Sequence, residues 1–389
     1  MFGFFIYLSS LVYVPHAIIL LGFVILVIQN PKYTFSSLHN FIKKPTFKVN
    51  TNNFIVFTIV IASLVNMMNN LNKVSSFGDF FPYFILIPFT YYIAKVVKPT
   101  QWKWLLYFVA LECIIGVFQF IIGQPSFFPE FLKFPEVYDP NLLYYRRVYG
   151  LSTSSSTFAN KILLALVLSD YVLKKSLVKQ VLTVLFWLGL FVTFNRTVLI
   201  VVVLYYGFKY LQANLKTKFK PTRFYLNALV VFIGGIFMFL LFWRFSGELI
   251  TQFTRNRDGL DISGRDQIWL YFLDFIKTHF FFGNGGFKVY NPKGLHAHNS
   301  FIQVLATNGF LIFCLYLLLI FRNLRNENLI PVLILIVYSL TQYGIFWGIS
   351  LMDMAFFYLL LRPKGPTDTF EYERDPQINW QKLLPLETS

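Results

Sequence analysis

The chain has 389 residues, 56% hydrophobic and 20% aromatic, with 13% charged and a formal net charge of +16. Soluble globular domains carry about 25% charged residues, so this composition excludes that class. A basic balance raises nucleic acid as a partner, but cations gathered in the cytoplasmic loops of a membrane protein explain it better, so none is expected.

Apolar runs of about 20 residues, separated by short polar stretches, read as bilayer-spanning helices. A transmembrane barrel would instead show short alternating segments. In chain order the spans fall near residues 5–28, 53–69, 78–96, 102–123, 158–173, 179–194, 197–213, 224–243, 299–321, 328–343 and 344–361. The first is too short for two full spans and lacks the cationic start of a cleavable signal, so it reads as one retained span with the N-terminus outside. The expectation is an all-α, polytopic transmembrane helical bundle of about 11 spans (roughly 10–12) over residues 1–361, followed by a polar cytoplasmic tail, 362–389. Cys113 and Cys314 lie within apolar spans and read as packing residues, and no Cys/His spacing reads as a metal site.

Lysine dominates one set of alternate loops, among them Lys32, Lys43, Lys98, Lys174, Lys216 and Lys220, which marks that side as cytoplasmic. The other side holds two long segments, 124–157 and 244–298, and its cations are mostly arginine: Arg146, Arg147, Arg196, Arg244, Arg255, Arg257 and Arg265. A guanidinium grips two phosphate oxygens at once, so this face hints at an anionic ligand, although headgroup contact suffices for any single arginine. Within 244–298, Ser263 and Asp266 form a capping-box-like helix start. Ile268, Trp269, Phe272, Phe275, Ile276 and Phe280 then recur at helical spacing, as in a helix lying on the membrane surface or packing on the spans beneath. Gly283, Gly285 and Gly286 break that helix. Glu112 and Asp353, ionisable residues in or beside spans, mark a polar cavity or interhelical bonds.

Three segments of the arginine-bearing side together resemble the O-antigen ligase and polymerase superfamily. The strongest runs through Ser263-Gly264-Arg265, Trp269, Phe282-Gly283-Asn284-Gly285-Gly286-Phe287 and His296-Ala297-His298-Asn299, with Gly309 following at the opening of a span. The second is the Phe194-Asn195-Arg196-Thr197 turn between two spans, and the third is Arg147-Val148-Tyr149-Gly150 leading to Ser154-Ser155-Ser156-Thr157-Phe158-Ala159. Ile312 stands where the family often has Gly or Tyr, and serines stand where it often has Pro-Asn or Pro-Ser, so no role is carried onto those serines. The resemblance covers roughly residues 140–360. It implies a GT-C-like membrane fold and inverting, metal-independent glycan transfer from an undecaprenyl-diphosphate donor. The setting it implies is a bacterial inner membrane, with the site facing the periplasm.

That transfer creates charge on a departing diphosphate and needs fixed cationic donors, for which Arg196 and Arg265 are the catalytic candidates. Arg147, Arg255 and Arg257 are reserve phosphate or glycan contacts. An acceptor hydroxyl needs a base, and His298 is selected by the pattern, since an imidazole titrates at about 6.5. His296 and His279 compete with it; Asn299 caps the next helix or orients the histidine; Trp269 packs or stacks on sugar. Neither an Asp-x-Asp nor a Glu-Asp pair occurs on that side, so no metal and no cofactor are expected. The expected partners are the lipid-linked donor, a glycan acceptor and membrane lipids, with a chain-length regulator as an optional further one. Polymerisation of repeat units is the first reading, because that branch is the more numerous. Ligation to lipid A core is the second. A lipid-linked glycan transporter is the third, disfavoured by the lack of an internal repeat and the few intramembrane charges. A peptidoglycan polymerase fits only the hydropathy.

Overall fold

The computed structural model describes residues 2–11, 14, 18–29, 51–70, 86–128, 147–216, 265–342, 344–346, 348 and 350–361. Arg255, Arg257, the expected span 224–243, the helix start at Ser263 and the tail 362–389 lie outside the described residues. Among those described there are helices and irregular segments but no strand. The helices are α1 (Phe2–Leu8), α2 (Ile18–Gln29), α3 (Thr51–Met68), α4 (Leu86–Val96), α5 (Pro99–Ile122), α6 (Ser155–Val172), α7 (Leu177–Thr193), α8 (Arg196–Lys216), α9 (Arg265–Thr278), α10 (Ser300–Asn323), α11 (Leu329–Thr341) and α12 (Leu351–Leu361).

Three of them, α3, α5 and α10, are long and apolar enough to cross a membrane, and α2, α7, α11 and α12 are shorter apolar helices. Outward-facing Phe57, Val65, Leu111, Phe118 and Phe321 are exposed, as lipid contact requires. At the centre lies α6, buried at every position from Lys161 to Ser169 and packed against α5, α7, α8 and α12. Every residue of α12 from Leu351 to Leu360 is buried as well. A helix apolar on all sides belongs inside such a bundle. Cys113 and Cys314 are both free thiols.

The structure corrects two spans. Residues 5–28 do not form one helix: α1 and α2 pack on each other, and α1 runs along α5. The hydroxyls of Ser9 and Ser10 donate to the carbonyls of Ile6 (2.8 Å) and Tyr7 (2.5 Å), satisfying locally the acceptors that a continuing helix would use. A Cβ on Gly3 would lie 2.2 Å from the Gln101 carbonyl oxygen, so the chain start sits beside the first turn of α5. That is the end bearing Lys98, not the arginine-bearing end expected for it. The last span is also shorter than 344–361. Its helix begins at Leu351, and the residues described before it, from Gln342 to Ser350, are irregular. The buried Asp353 carboxylate holds them by accepting from the amides of Phe346 and Gly348 and from the Ser350 hydroxyl.

The amphipathic helix at 265–278 takes the packed alternative. Ile268, Phe272 and Ile276 form a small core with Val289, Ala297 and Ala306 against the first half of α10. Gly309 does not open α10 but interrupts it, at φ 79° and ψ 177°. The break strips three carbonyls of their intrahelical donors, and neighbouring groups replace them. Asn284 N donates to Ala306 O (2.9 Å), Gly286 N to Thr307 O (2.8 Å) and Asn66 Nδ2 to Asn308 O (2.6 Å). The glycine turn after α9 is thereby docked into the break.

A Cβ at position 309 would meet Phe281 O at 2.1 Å, in a backbone region essentially reserved for glycine. Gly309→Ala is expected to lose at least about 1–3 kcal/mol of stability. Gly207→Ala, where a Cβ meets nothing within 4 Å, should be near neutral; thermal unfolding in detergent compares the two.

Candidate functional site: an arginine and histidine cluster at one end of the bundle

The histidines are placed by the start of α10. Asn299 is its N-cap: its Oδ1 accepts from the amides of Phe301 (2.9 Å) and Ile302 (3.1 Å), while its Nδ2 donates to Leu340 O (2.9 Å). Capping, rather than direct orientation of the histidine, is therefore what its side chain does. Gln303 clamps the segment before it, accepting from Ala297 N (2.8 Å) and donating to Val289 O (2.9 Å). Trp269 Nε1 donates to Ala297 O (2.7 Å), so this tryptophan braces the histidine loop.

His298 sits in the left-handed region at φ 50°, one of three described non-glycine residues with positive φ. Its amide donates to His296 Nδ1 (3.1 Å), and the two rings lie tilted at 51° with centroids 4.2 Å apart. An acceptor Nδ1 leaves the proton of neutral His296 on Nε2. Burial, and then the proximity of His298 and the charges of Lys288 and Arg265, push the pKa of His296 down to about 3. For His298, burial and then the Arg265 charge lower the pKa, against a side-chain hydrogen bond to Gln342 that raises it. Its buried Nδ1 has no hydrogen-bond partner among the described residues, so Nε2 is the nitrogen facing Gln342. Both lowered values favour neutral imidazoles at pH 7, and Nδ1 is the ring nitrogen of His298 left without a bond.

Arg265 opens α9, half-buried, within electrostatic reach of both histidines and of the Tyr338 hydroxyl. A cation at a helix N-terminus is mildly disfavoured by the dipole, so the helix itself gains no stability from this arginine. His279 is exposed, stacked on Phe275 and away from this group.

Arg147 and Arg196 form a second group. Asn195 caps α8 through Val198 N (3.0 Å), and its Nδ2 donates to Ser156 Oγ (3.1 Å). Val148 N donates to Val192 O (3.1 Å), which sets Arg147 beside the Asn195-Arg196 turn. Ser154, given no role from the sequence, caps α6 by accepting from Thr157 N (3.2 Å). Both groups lie at one end. Gln212, late in α8, donates to Asn326 O (3.3 Å) beyond the far end of α10, so Arg196 stands at the opposite end, with Gln342 and Ser300. Packing of α8 against α11 links the two groups.

Sequence reasoning missed Gln342 and Lys288. Lys288 is half-buried near Asp353 and His296, and burial, against the attraction of Asp353, brings its pKa down to about 8. The available signal was Gly344 and Gly348 inside an apolar run, which marks irregular backbone around a site. Among the described residues no group of three or more His, Cys, Asp or Glu could hold a metal ion.

An all-helical membrane protein with arginines and neutral histidines gathered at one end of its bundle has the means to hold an anionic ligand. Residues 181–317 match the family model described as O-Antigen ligase, which supports the O-antigen ligase and polymerase superfamily and a membrane glycan-processing role for this chain. The match takes in Arg196, Arg255, Arg257, Arg265, Trp269, His296, His298 and Asn299, and leaves out Arg147 and Gln342. No curated protein matches the chain closely enough to add a relative.

With its pKa lowered, His298 stays neutral until the pH falls below the ordinary imidazole value. With His298 as the base, the acid limb of kcat/KM is expected below pH about 6.5. In Arg265→Gln the residual activity should have that limb moved upward, because a cation favouring the neutral ring is gone; pH profiles of both proteins check this.

Proposed function

We propose that the chain is a metal-independent, inverting glycosyltransferase that polymerises undecaprenyl-diphosphate-linked repeat units into O-antigen or a related surface polysaccharide. It does so from a bundle of about 11 spans in a bacterial inner membrane, with the site on the periplasmic side. The observation that carries the reading is the unbonded Nδ1 of His298, on a ring that burial and then the charge of Arg265 hold in the neutral form. The acceptor sugar's hydroxyl gives its proton to Nδ1 as its oxygen attacks the anomeric carbon of the donor. The bond from that carbon to the diphosphate oxygen breaks on the opposite face, inverting the centre. Arg265, Arg196 and Arg147 receive the charge that grows on the leaving undecaprenyl diphosphate. A bound dianion offsets the Arg265 charge and raises the basicity of His298, so the base strengthens only when donor is present. Arg255 and Arg257 remain reserve phosphate contacts, His296 fixes the histidine loop, and a chain-length regulator is an optional partner.

Transfer to lipid A core is the second reading, favoured by the description of the matched family. It uses the same donor chemistry and differs in the acceptor.

Purified protein in nanodiscs, given only the lipid-diphosphate repeat unit with EDTA present, should produce a ladder of lengthening chains on a gel. Transfer only after lipid A core is added would replace the polymerase by the ligase. Reaction with neither, by folded protein, would favour the transporter.

Arg196→Ala, Arg265→Ala and His298→Ala should each remain folded in the membrane and lose at least about 100-fold in transfer rate. Arg265→Lys should stay poor, since a point charge does not reproduce a bidentate grip. Wild-type activity in His298→Ala would remove the base assignment.

A further inference from the structure

The centre of the bundle holds a charge pair that the reaction does not use. Glu112, on α5, and Lys161, on α6, have side chains 0% and 1% exposed. Lys161 Nζ lies 2.9 Å from both carboxylate oxygens. Two charges buried this deeply are expensive, and a well-packed apolar pair of similar volume would serve stability as well or better. The pair therefore calls for a reason other than stability.

The other bonds of the carboxylate supply one. Glu112 Oε1 also accepts from the Leu151 amide (3.0 Å) and the Ser152 hydroxyl (2.9 Å). Two turns further along α5, about 10 Å away, Gln119 makes a pair of hydrogen bonds with Gly150, donating to its carbonyl and accepting from its amide at 2.9 Å each. Gly150 has φ 58°, and a Cβ there would lie 2.9 Å from the Glu112 side chain. Residues 150–152 are thus irregular backbone drawn down into the bundle. Such backbone survives at membrane depth only if the protein satisfies its polar groups. The Glu112 carboxylate accepts from the Leu151 amide and the Ser152 hydroxyl of this turn, and Lys161 together with the Tyr7 hydroxyl fixes it in place.

On either side of this turn stand the second group of arginines. Arg147 precedes it, held by the Val148–Val192 bond, and Ser156 follows it, bonded to Asn195 next to Arg196. We propose that Glu112 and Lys161 are positioning residues of the site: the pair anchors the 150–152 turn, and through it places Arg147 and Arg196 for the diphosphate of the lipid-linked substrate. This rests on the reading of those two arginines as phosphate contacts.

Undecaprenyl diphosphate is the probe, and its dissociation constant is measured on nanodisc-embedded full-length protein, with thermal unfolding in parallel. The double variant Glu112→Leu with Lys161→Met removes both charges and the acceptor. It should unfold near the wild-type temperature yet bind at least about ten-fold more weakly. Glu112→Gln with Lys161→Met keeps an acceptor oxygen and should bind within about three-fold of wild type. Gly150→Ala keeps both charges but puts a Cβ 2.9 Å from the Glu112 side chain in a left-handed backbone, so it displaces the turn from its anchor and should weaken binding as the Leu/Met variant does; it also serves if that variant does not fold. Wild-type affinity in the Gly150→Ala variant and in any folded Leu/Met variant would overturn the proposal, as would equal weakening in the Gln/Met and Leu/Met variants. Arg147→Ala and Arg196→Ala separate the two levels. If they bind normally, the phosphate reading fails; if they weaken binding while the turn variants do not, only the positioning proposal fails.

Discussion

A bilayer offers no hydrogen bonds, and that constraint shapes the departures from helix in this protein. Among the described residues, three irregular stretches interrupt the bundle, and each is satisfied by side chains or backbone from elsewhere in the chain. The break at Gly309 is closed by Asn66, Asn284 and Gly286. The stretch before α12 is gathered by Asp353 and by Ser300, whose hydroxyl accepts from the amides of Gly344 and Ile345. The turn at 150–152 is held by Glu112 and Gln119. All three lie beside the candidate site, which is where non-helical backbone at membrane depth is useful: it brings loops, with their cations and histidines, onto a rigid frame.

The electrostatics follow from the same burial. Burial first, and then the neighbouring cations, disfavour the charged imidazoles, so His296 and His298 are held in the neutral form. An anionic ligand relieves that repulsion and raises the basicity of His298. Trp269, Gln303 and Asn299 take the supporting part, each spending its polar group on backbone and so fixing the loop that carries His298. At the opposite end of the bundle, Asp170 binds Lys179 at 2.6 Å and Lys209 at 2.5 Å, a partly exposed cluster that ties α6, α7 and α8 together.

Much of this was legible in the order of residues. Membrane burial demands long apolar runs, so the helical class could be read from hydropathy, and most helices lie within a few residues of the expected spans. The spacing of Arg196, Arg265, His298 and Asn299 carried the family resemblance, and the cap at Asn299 is a local rule obeyed locally. Other features depended on partners distant in sequence. Lys161 looks like a polar interruption of an apolar run until Glu112, on another helix, is placed against it. Gln342 gains its meaning only where the chain returns to Ser300 and His298. The split of the first span turns on Ser9 and Ser10 bonding back on their own helix, a competition hydropathy does not register.

Sequence alone, then, determined that the chain is helical, membrane-embedded and furnished with arginines and a histidine motif on one predicted side, because those follow from composition and near-neighbour spacing. Tertiary structure decided which nitrogen of His298 is free, which way Trp269 and Asn299 spend their polar groups, and which buried charges meet. Those depend on desolvation and on groups brought together from far along the chain, and neither is a property of any local segment.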